Sequence, residues 1–350
     1  METNMGNEEM NMQRTMVLQE KPKKKKRIGL WIFLGILALF ILIVVGAFFL
    51  GDDSSYSYAV DEPYIATIYV EGTIASSNVD SFGVAMGYQH NWTLEQLDYL
   101  MTDENNKGLI VFVNSPGGGV YESDELYLKI KDYQKETGNP VYAAMGNMAA
   151  SGGYYISAPA DKIFANRNTW TGSIGVTMGT LFDVSDVLKK YGIKTNTITS
   201  GANKAMGSPV EPMTEEQRAI FQSLVDEAYE QFTSIVSTER DIPMADTKKL
   251  ADGRIYTAKQ ALKLKLVDKI GTYEEALDDM CETYDLYNCE QVDVIYEDNS
   301  LFGSLMADSG VSNMLSSIVK LKSQSDVTEI LGLVKDRKDS PVSYLCDYLK

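Results

Sequence analysis

The 350-residue chain has a single histidine, His90, and only three cysteines, Cys281, Cys289 and Cys346. One histidine leaves a His-based hydrolytic triad no choice of residue, and His90, in the polar stretch YQHNW, reads as a surface or packing residue. The cysteines lack CxxC spacing and companion histidines, which argues against a zinc site. Their odd number leaves at least one thiol free or intermolecular. Cys281 shares a helical face with Leu277 and Tyr284 and reads as a small buried apolar residue. Positive charge is also scarce: 32 Lys and Arg against 49 Asp and Glu give a formal net charge of -17. That balance argues against nucleic acid as a partner, since phosphate binding needs clustered cations. The length is enough for one large domain or two, with an ample core.

The cations that are present cluster at one end. After a polar, Met-rich start, KPKKKKR (21–27) is followed directly by Ile28 to Leu50, 23 residues without a charge. At about 1.5 Å per residue this run reaches roughly 34 Å, enough to cross a bilayer core. It is too long for a secretory signal core, so it is expected to be an uncleaved anchor, with the basic side cytoplasmic and the remainder extracytoplasmic. The domain beyond, more acidic than the chain as a whole, would be repelled by an anionic membrane surface.

The expected organisation is therefore a basic tail (1–27), a transmembrane anchor (28–50), a polar linker (51–61), a catalytic domain (62–297) and a C-terminal helical or tail segment (298–350). Within the domain, short apolar runs alternate with amphipathic segments: YIATIYVEG, GLIVFV, YESDELYLKIKDYQK, PVYAAM, KIFAN and, after Gly192, IKTNTIT. This alternation predicts βαβ units and a mainly parallel, buried sheet. A long helix is predicted from Thr214, where Thr214 and Gln217 suit a capping box, with Ile220, Leu224, Ala228, Phe232 and Ile235 as its core stripe.

Chemistry is concentrated in glycine-rich turns. Ser151 lies in MGNMAASGGYY, at the junction of an apolar strand and a following helix, where backbone N–H groups at a helix start can hold developing negative charge. NSPGGGV (114–120) combines Pro116 with Gly117, Gly118 and Gly119. Its backbone can lie against a ligand, as an oxyanion hole and an edge on which a peptide pairs as an added strand, and it lacks the Lys-Ser/Thr ending of a phosphate-binding Walker loop. Lys204, in SGANKAMGSP, has small neighbours and no adjacent carboxylate, which suits a neutral amine acting as a base. Ser173, in WTGSIGV, could orient that amine. Each residue also has a plainer reading: Ser151 as a helix N-cap, Lys204 as a solvated lysine, Ser173 and the glycines as turn residues.

Taken together and in order, NSPGGGVYES, MAASGGYYIS, TGSIGV, SGANKAMGSP and ADGRIYTAKQALKLKLVDKIG resemble the SppA-type signal peptide peptidases, from about Tyr64 to about Glu297. The resemblance implies an α/β fold, the ClpP/crotonase-like βαβ superhelix, and a homo-oligomeric ring. It also implies a Ser/Lys dyad, with Ser151 as nucleophile, Lys204 as general base, Ser173 positioning the lysine, and the N–H groups of Gly118 and Gly152 as oxyanion hole. No cofactor or metal is called for. The expected partners are hydrophobic peptides, remnants of signal peptides left in the membrane after export. Two alternatives from other classes are a catalytically silent membrane scaffold and a crotonase-type acyl-CoA enzyme. Residues 88–102 and those after Ser300 carry none of these motifs. The apolar stripes near Met314 and Ile330 are expected to pack on the domain or a neighbouring subunit, with a visit of the tail PVSYLCDYLK to the active site as the other possibility.

Overall fold

A computed structural model describes residues 60–79 and 85–296, the backbone strand at 343–345, and Gly35. The chain divides into two units, Met1–Tyr56 and Ser57–Lys350, and apart from Gly35 everything described belongs to the second. The expected anchor, basic tail and terminal amphipathic stripes lie outside the described residues. Among the described residues no helix is long and apolar enough to cross a membrane.

The fold is mixed α/β, built on a largely parallel sheet. Its centre follows from the continuous apolar runs, which suit strands covered on both faces. Strand β1 (Tyr64–Glu71) pairs in parallel with β2 (Asn106–Ser115), which pairs in parallel with β4 (Val141–Ala150). Between β2 and β4 the chain forms a three-residue strand β3 (Gly117–Gly119) and a long helix over Val120–Thr137 that ends on a left-handed Gly138. Further along, β5 (Lys162–Ala165) and β6 (Trp170–Gly172) both join β4 in parallel; β7 (Ile255–Thr257) pairs antiparallel with β6; β8 (Lys269–Ile270) extends β5; and β9 (Glu290–Val294) closes on β1.

Strand β4 has two partners in succession. Its first half, Tyr142 to Met145, pairs with β5, and its last three residues, Met148 to Ala150, pair with β6. The register against β2 slips in between, from Val113↔Met145 to Ser115↔Ala149. Gly146 lies in the slipped segment, where an added Cβ would come within 3.1 Å of the Asn114 Cβ. The sheet forks at this point, and β4 carries its last residues out to Ser151.

Three expectations are corrected. Residues 90–102, where YQHNW showed no helix or strand pattern, form a helix (His90–Thr102), and of the two readings of His90, surface or packing, it is the packing one that holds, since the side chain is buried. Its Nδ1 lies 2.7 Å from the Tyr88 hydroxyl and its Nε2 lies 2.9 Å from Glu125 Oε2. The strand expected at IKTNTIT does not form: residues 191–200 are exposed throughout and contain no strand. The helix beginning after Thr214, Glu215–Glu239, has both hydrogen bonds of its capping box. Only its second half is buried, through Ala228, Phe232, Thr233 and Val236, while Leu224 in the expected stripe is exposed. In the last two cases a local apolar pattern is present and the packing that normally accompanies it is absent.

Candidate active site

Ser151 ends β4 and caps the short helix Gly152–Ser157, with φ 54° and ψ -118°. For a residue with a Cβ this conformation costs of order 1–3 kcal/mol, and such outliers cluster at functional sites. Neighbouring bonds hold it in place. The Ser151 N–H donates to the Gly172 carbonyl at 2.8 Å, and the Tyr155 N–H donates to the Ser151 carbonyl at 2.9 Å. The helix behind it is fixed by two tyrosines. The Tyr154 hydroxyl donates to the Leu266 carbonyl at 2.8 Å, the Tyr155 hydroxyl donates to Asp124 at 2.6 Å, and the Tyr155 ring packs on Phe232. Ser151 itself is only 1% exposed.

The glycines of the two motifs converge. A Cβ on Gly152 would stand 3.1 Å from the Gly118 nitrogen and 2.5 Å from Ser123 Oγ, and one on Gly118 would collide with the Ile74 carbonyl at 1.8 Å. Neither position has room for a side chain. As the first residue of its helix, Gly152 has no intrahelical acceptor for its N–H. Around Gly118 the loop is held by the Gly119 N–H on the Ile74 carbonyl and the Ile74 N–H on the Gly117 carbonyl, at 2.8 and 2.9 Å. Ser173 follows Gly172 directly, is buried, has φ 50° and gives its N–H to the Arg254 carbonyl. Ser151, Gly152 and Ser173 thus gather at one corner of the sheet through the β4–β6 pairing, and the loop held on Ile74 brings Gly118 up to Gly152.

Lys204 makes no side-chain bond to that corner among the described residues. It is exposed in the turn at 201–207, and its side chain makes no hydrogen bond or ion pair among the described residues. It lies on an open segment with a run of exposed apolar side chains: Phe182, Tyr191 (72% exposed), Ile193 and Ile198 (98%). His90 offers no substitute base, because both of its ring nitrogens are engaged by Tyr88 and Glu125.

Two residues of the helix Val120–Thr137, which close the NSPGGGVYES motif and were given no role from the sequence, also lie at this corner. Ser123 is fully buried with no hydrogen-bond partner for its hydroxyl among the described residues, and the same holds for Glu122 Oε2. Their signal in the sequence was position: they are the third and fourth residues of a helix that follows a triple glycine. The backbone of residues 343–345 lies along the glycine strand, antiparallel, with Ser343, Tyr344 and Leu345 opposite Gly119, Gly118 and Gly117. Cys281 and Cys289 are free thiols packed against the same apolar cluster.

Comparison with known proteins places this corner in a family context. The model of peptidase family S49 matches residues 133–286, a stretch that contains Ser151, Ser173 and Lys204. A putative signal peptide peptidase SppA of Enterococcus faecium is 43% identical over 216 residues, 62% of this chain and 62% of that protein. A putative protease of Methanocaldococcus jannaschii is 40% identical over 208 residues, 59% of this chain and 66% of its own length. One of Synechocystis is 38% identical over 212 residues, 61% of this chain and 71% of its own length. This chain therefore spans just under two thirds of the first two relatives.

Proposed function

The chain belongs to peptidase family S49, and from that premise we propose that it is a membrane-anchored serine endopeptidase using Ser151 as nucleophile and Lys204 as general base. The observation that carries this reading is the strained strand-to-helix corner at Ser151, with Gly152 and Gly118 closing over it. A backbone conformation of this kind presents a serine hydroxyl at the end of a sheet, next to N–H groups that can hold an oxyanion. The ClpP/crotonase-like superhelix is the fold within the α/β class that we assign on the same grounds.

Chemically, neutral Lys204 takes the hydroxyl proton as Ser151 attacks the peptide carbonyl, and the resulting ammonium protonates the leaving amine. The N–H groups of Gly118 and Gly152 stabilise the tetrahedral intermediate, and Ser173 orients the lysine. Water, activated by Lys204, then releases the acyl group. In a single chain Lys204 is exposed and makes no bond with Ser151, so the dyad requires Lys204 to arrive from elsewhere. We assign that step to a second copy of this chain in a ring. The apolar side chains exposed on the Lys204 segment, which a monomer leaves in water, fit burial between copies. For substrate, the anchor expected at 28–50 and the name of the Enterococcus relative both favour extended apolar remnants of signal peptides, paired as an added strand on Gly117–Gly119.

The test is mass spectrometry of the full chain in detergent after exposure to a phosphonylating reagent, in which the serine oxygen displaces the leaving group on phosphorus. A single adduct on Ser151, absent from Ser151→Ala and from Lys204→Ala, is the expected result. An adduct that survives Lys204→Ala overturns the assignment of the base, and the absence of any adduct on assembled protein overturns the peptidase reading.

A further inference from the structure

Among the described residues, Oε2 of Glu122 is a buried carboxylate oxygen without a donor, beside the strand assigned to substrate. It stands on the first turn of the helix Val120–Thr137 and is 8% exposed. Its side chain folds back over Gly119 so closely that a Cβ built there would lie 1.8 Å from Oε2. A glutamate three residues after a helix N-cap normally accepts the N-cap N–H. Here the Gly119 N–H is already given to the Ile74 carbonyl at 2.8 Å, and Oε2 has no partner among the described residues. A buried acceptor left without a donor is costly, and in native proteins such a group marks a place where a ligand or another group completes it.

Strand pairing indicates what would complete it. Residues directly opposite in an antiparallel pair send their side chains to the same face, with Cβ atoms about 4.5–5.5 Å apart. A peptide residue opposite Gly119 therefore projects to the face on which Gly119 has no side chain and Glu122 Oε2 takes its place. A hydroxyl one bond beyond that Cβ comes within reach of Oε2, whereas a branched apolar side chain would press against an unpaired carboxylate. In this chain's own tail, the residue that pairing sets opposite Gly119 is Ser343.

We propose that Glu122 forms a subsite for a hydroxyl-bearing residue, serine or threonine, at the peptide position paired with Gly119. The inference rests on the peptidase reading above and adds to it a point of polar selection within an otherwise apolar substrate.

The experiment scans a single serine, and separately a valine, through every position of an extended apolar peptide. It measures kcat/KM with the full chain in detergent, and binding to the Ser151→Ala protein by fluorescence anisotropy. The expected result is one position at which serine exceeds valine by about tenfold, the order of effect of a hydrogen bond to a charged group. That preference is lost in Glu122→Leu and partly kept in Glu122→Gln, which retains an acceptor of the same shape and controls for folding. Cleavage with no position favouring serine, or a preference unchanged in Glu122→Leu, overturns the subsite and leaves the peptidase standing. Preferential binding of the serine peptide that depends on Glu122, in a protein that cuts no peptide, keeps the subsite and overturns the peptidase.

Discussion

The backbone N–H of Ser151 donates to the carbonyl of Gly172, 2.8 Å away, and through that bond β6, whose end leads directly into Ser173, fixes the height of the proposed nucleophile. Ala150 and Gly172 are partners in the last pair of the same ladder. The position of Ser151 is thus a property of the sheet, which makes the surrounding glycines the sensitive points. Gly152→Ala would bring a Cβ to within 2.5 Å of Ser123 Oγ and 3.1 Å of the Gly118 nitrogen. We expect kcat to fall on the order of a hundredfold, comparable with loss of an oxyanion donor. Adding Ser123→Gly relieves the first contact and leaves the second, so the double variant stays impaired; recovery to wild-type kcat, measured on an apolar reporter peptide, would refute the convergence of the two N–H groups.

Assembly makes a prediction of its own. Ser151→Ala and Lys204→Ala are each expected to be inactive. If the lysine comes from a neighbouring copy, mixed rings assembled from both variants regain activity, because some interfaces pair an intact Ser151 with an intact Lys204. Co-expression followed by phosphonate labelling measures this. No labelling in the mixture, from rings shown by sizing to be assembled, would place both residues in the same subunit.

The tail offers a third test. Since residues 343–345 occupy the strand edge assigned to substrate, a chain ending at Asp339 is expected to cleave apolar peptides at low concentration about tenfold faster. A tethered segment competes at a local concentration far above that of a dilute peptide. An unchanged rate would show that the tail does not compete with substrate.

Acid stability should depend on Asp279. Burial pushes its carboxyl up, but hydrogen bonds from Lys162 at 2.5 Å, from Lys269 and from Tyr142 at 3.0 Å outweigh that and bring its pKa down to about 2. A depressed folded-state value stabilises the fold above the ordinary aspartate range and loses that contribution as pH falls from about 4 to about 2, worth about 2 kcal/mol. Asp279→Asn should lower Tm by about 4–8 °C at pH 7, with the gap to wild type narrowing below pH 4 in thermal melts. A gap of constant size down to pH 2 would remove titration of Asp279 as the cause.

The parts of the molecule that could be read from sequence are those whose neighbours lie close along the chain or whose pattern matches their burial. The runs at 64–71, 106–115 and 141–150 are apolar because strands of a parallel sheet are covered on both faces, and the Thr214 capping box is a four-residue affair. The corner at Ser151 was visible for a related reason: only small residues fit there, so MAASGGYY and NSPGGG announce it. His90 was left between surface and packing because its partners, Tyr88 and Glu125, are polar residues that give no periodic signal. The apolar residues of 193–199 and the start of the helix after Thr214 suggested a core, although a single chain leaves them facing water. Glu122 escaped notice because a glutamate early in a helix is ordinary; what sets it apart is the fate of the Gly119 N–H.

Strand β1, the first of the fold, keeps one edge open until β9 arrives to pair with it, and the Tyr69 and Asp293 side chains that bond across this junction lie 224 residues apart. A chain delivered from its N-terminus exposes that edge for as long as its synthesis takes. Completion of the main sheet is therefore a late event, slow by topology, and the nascent domain presents a template for wrong pairing until β9 is in hand. Any interruption before residue 290 would leave a protein with its glycine corner present and its sheet unfinished, a target for quality control before it could become a protease.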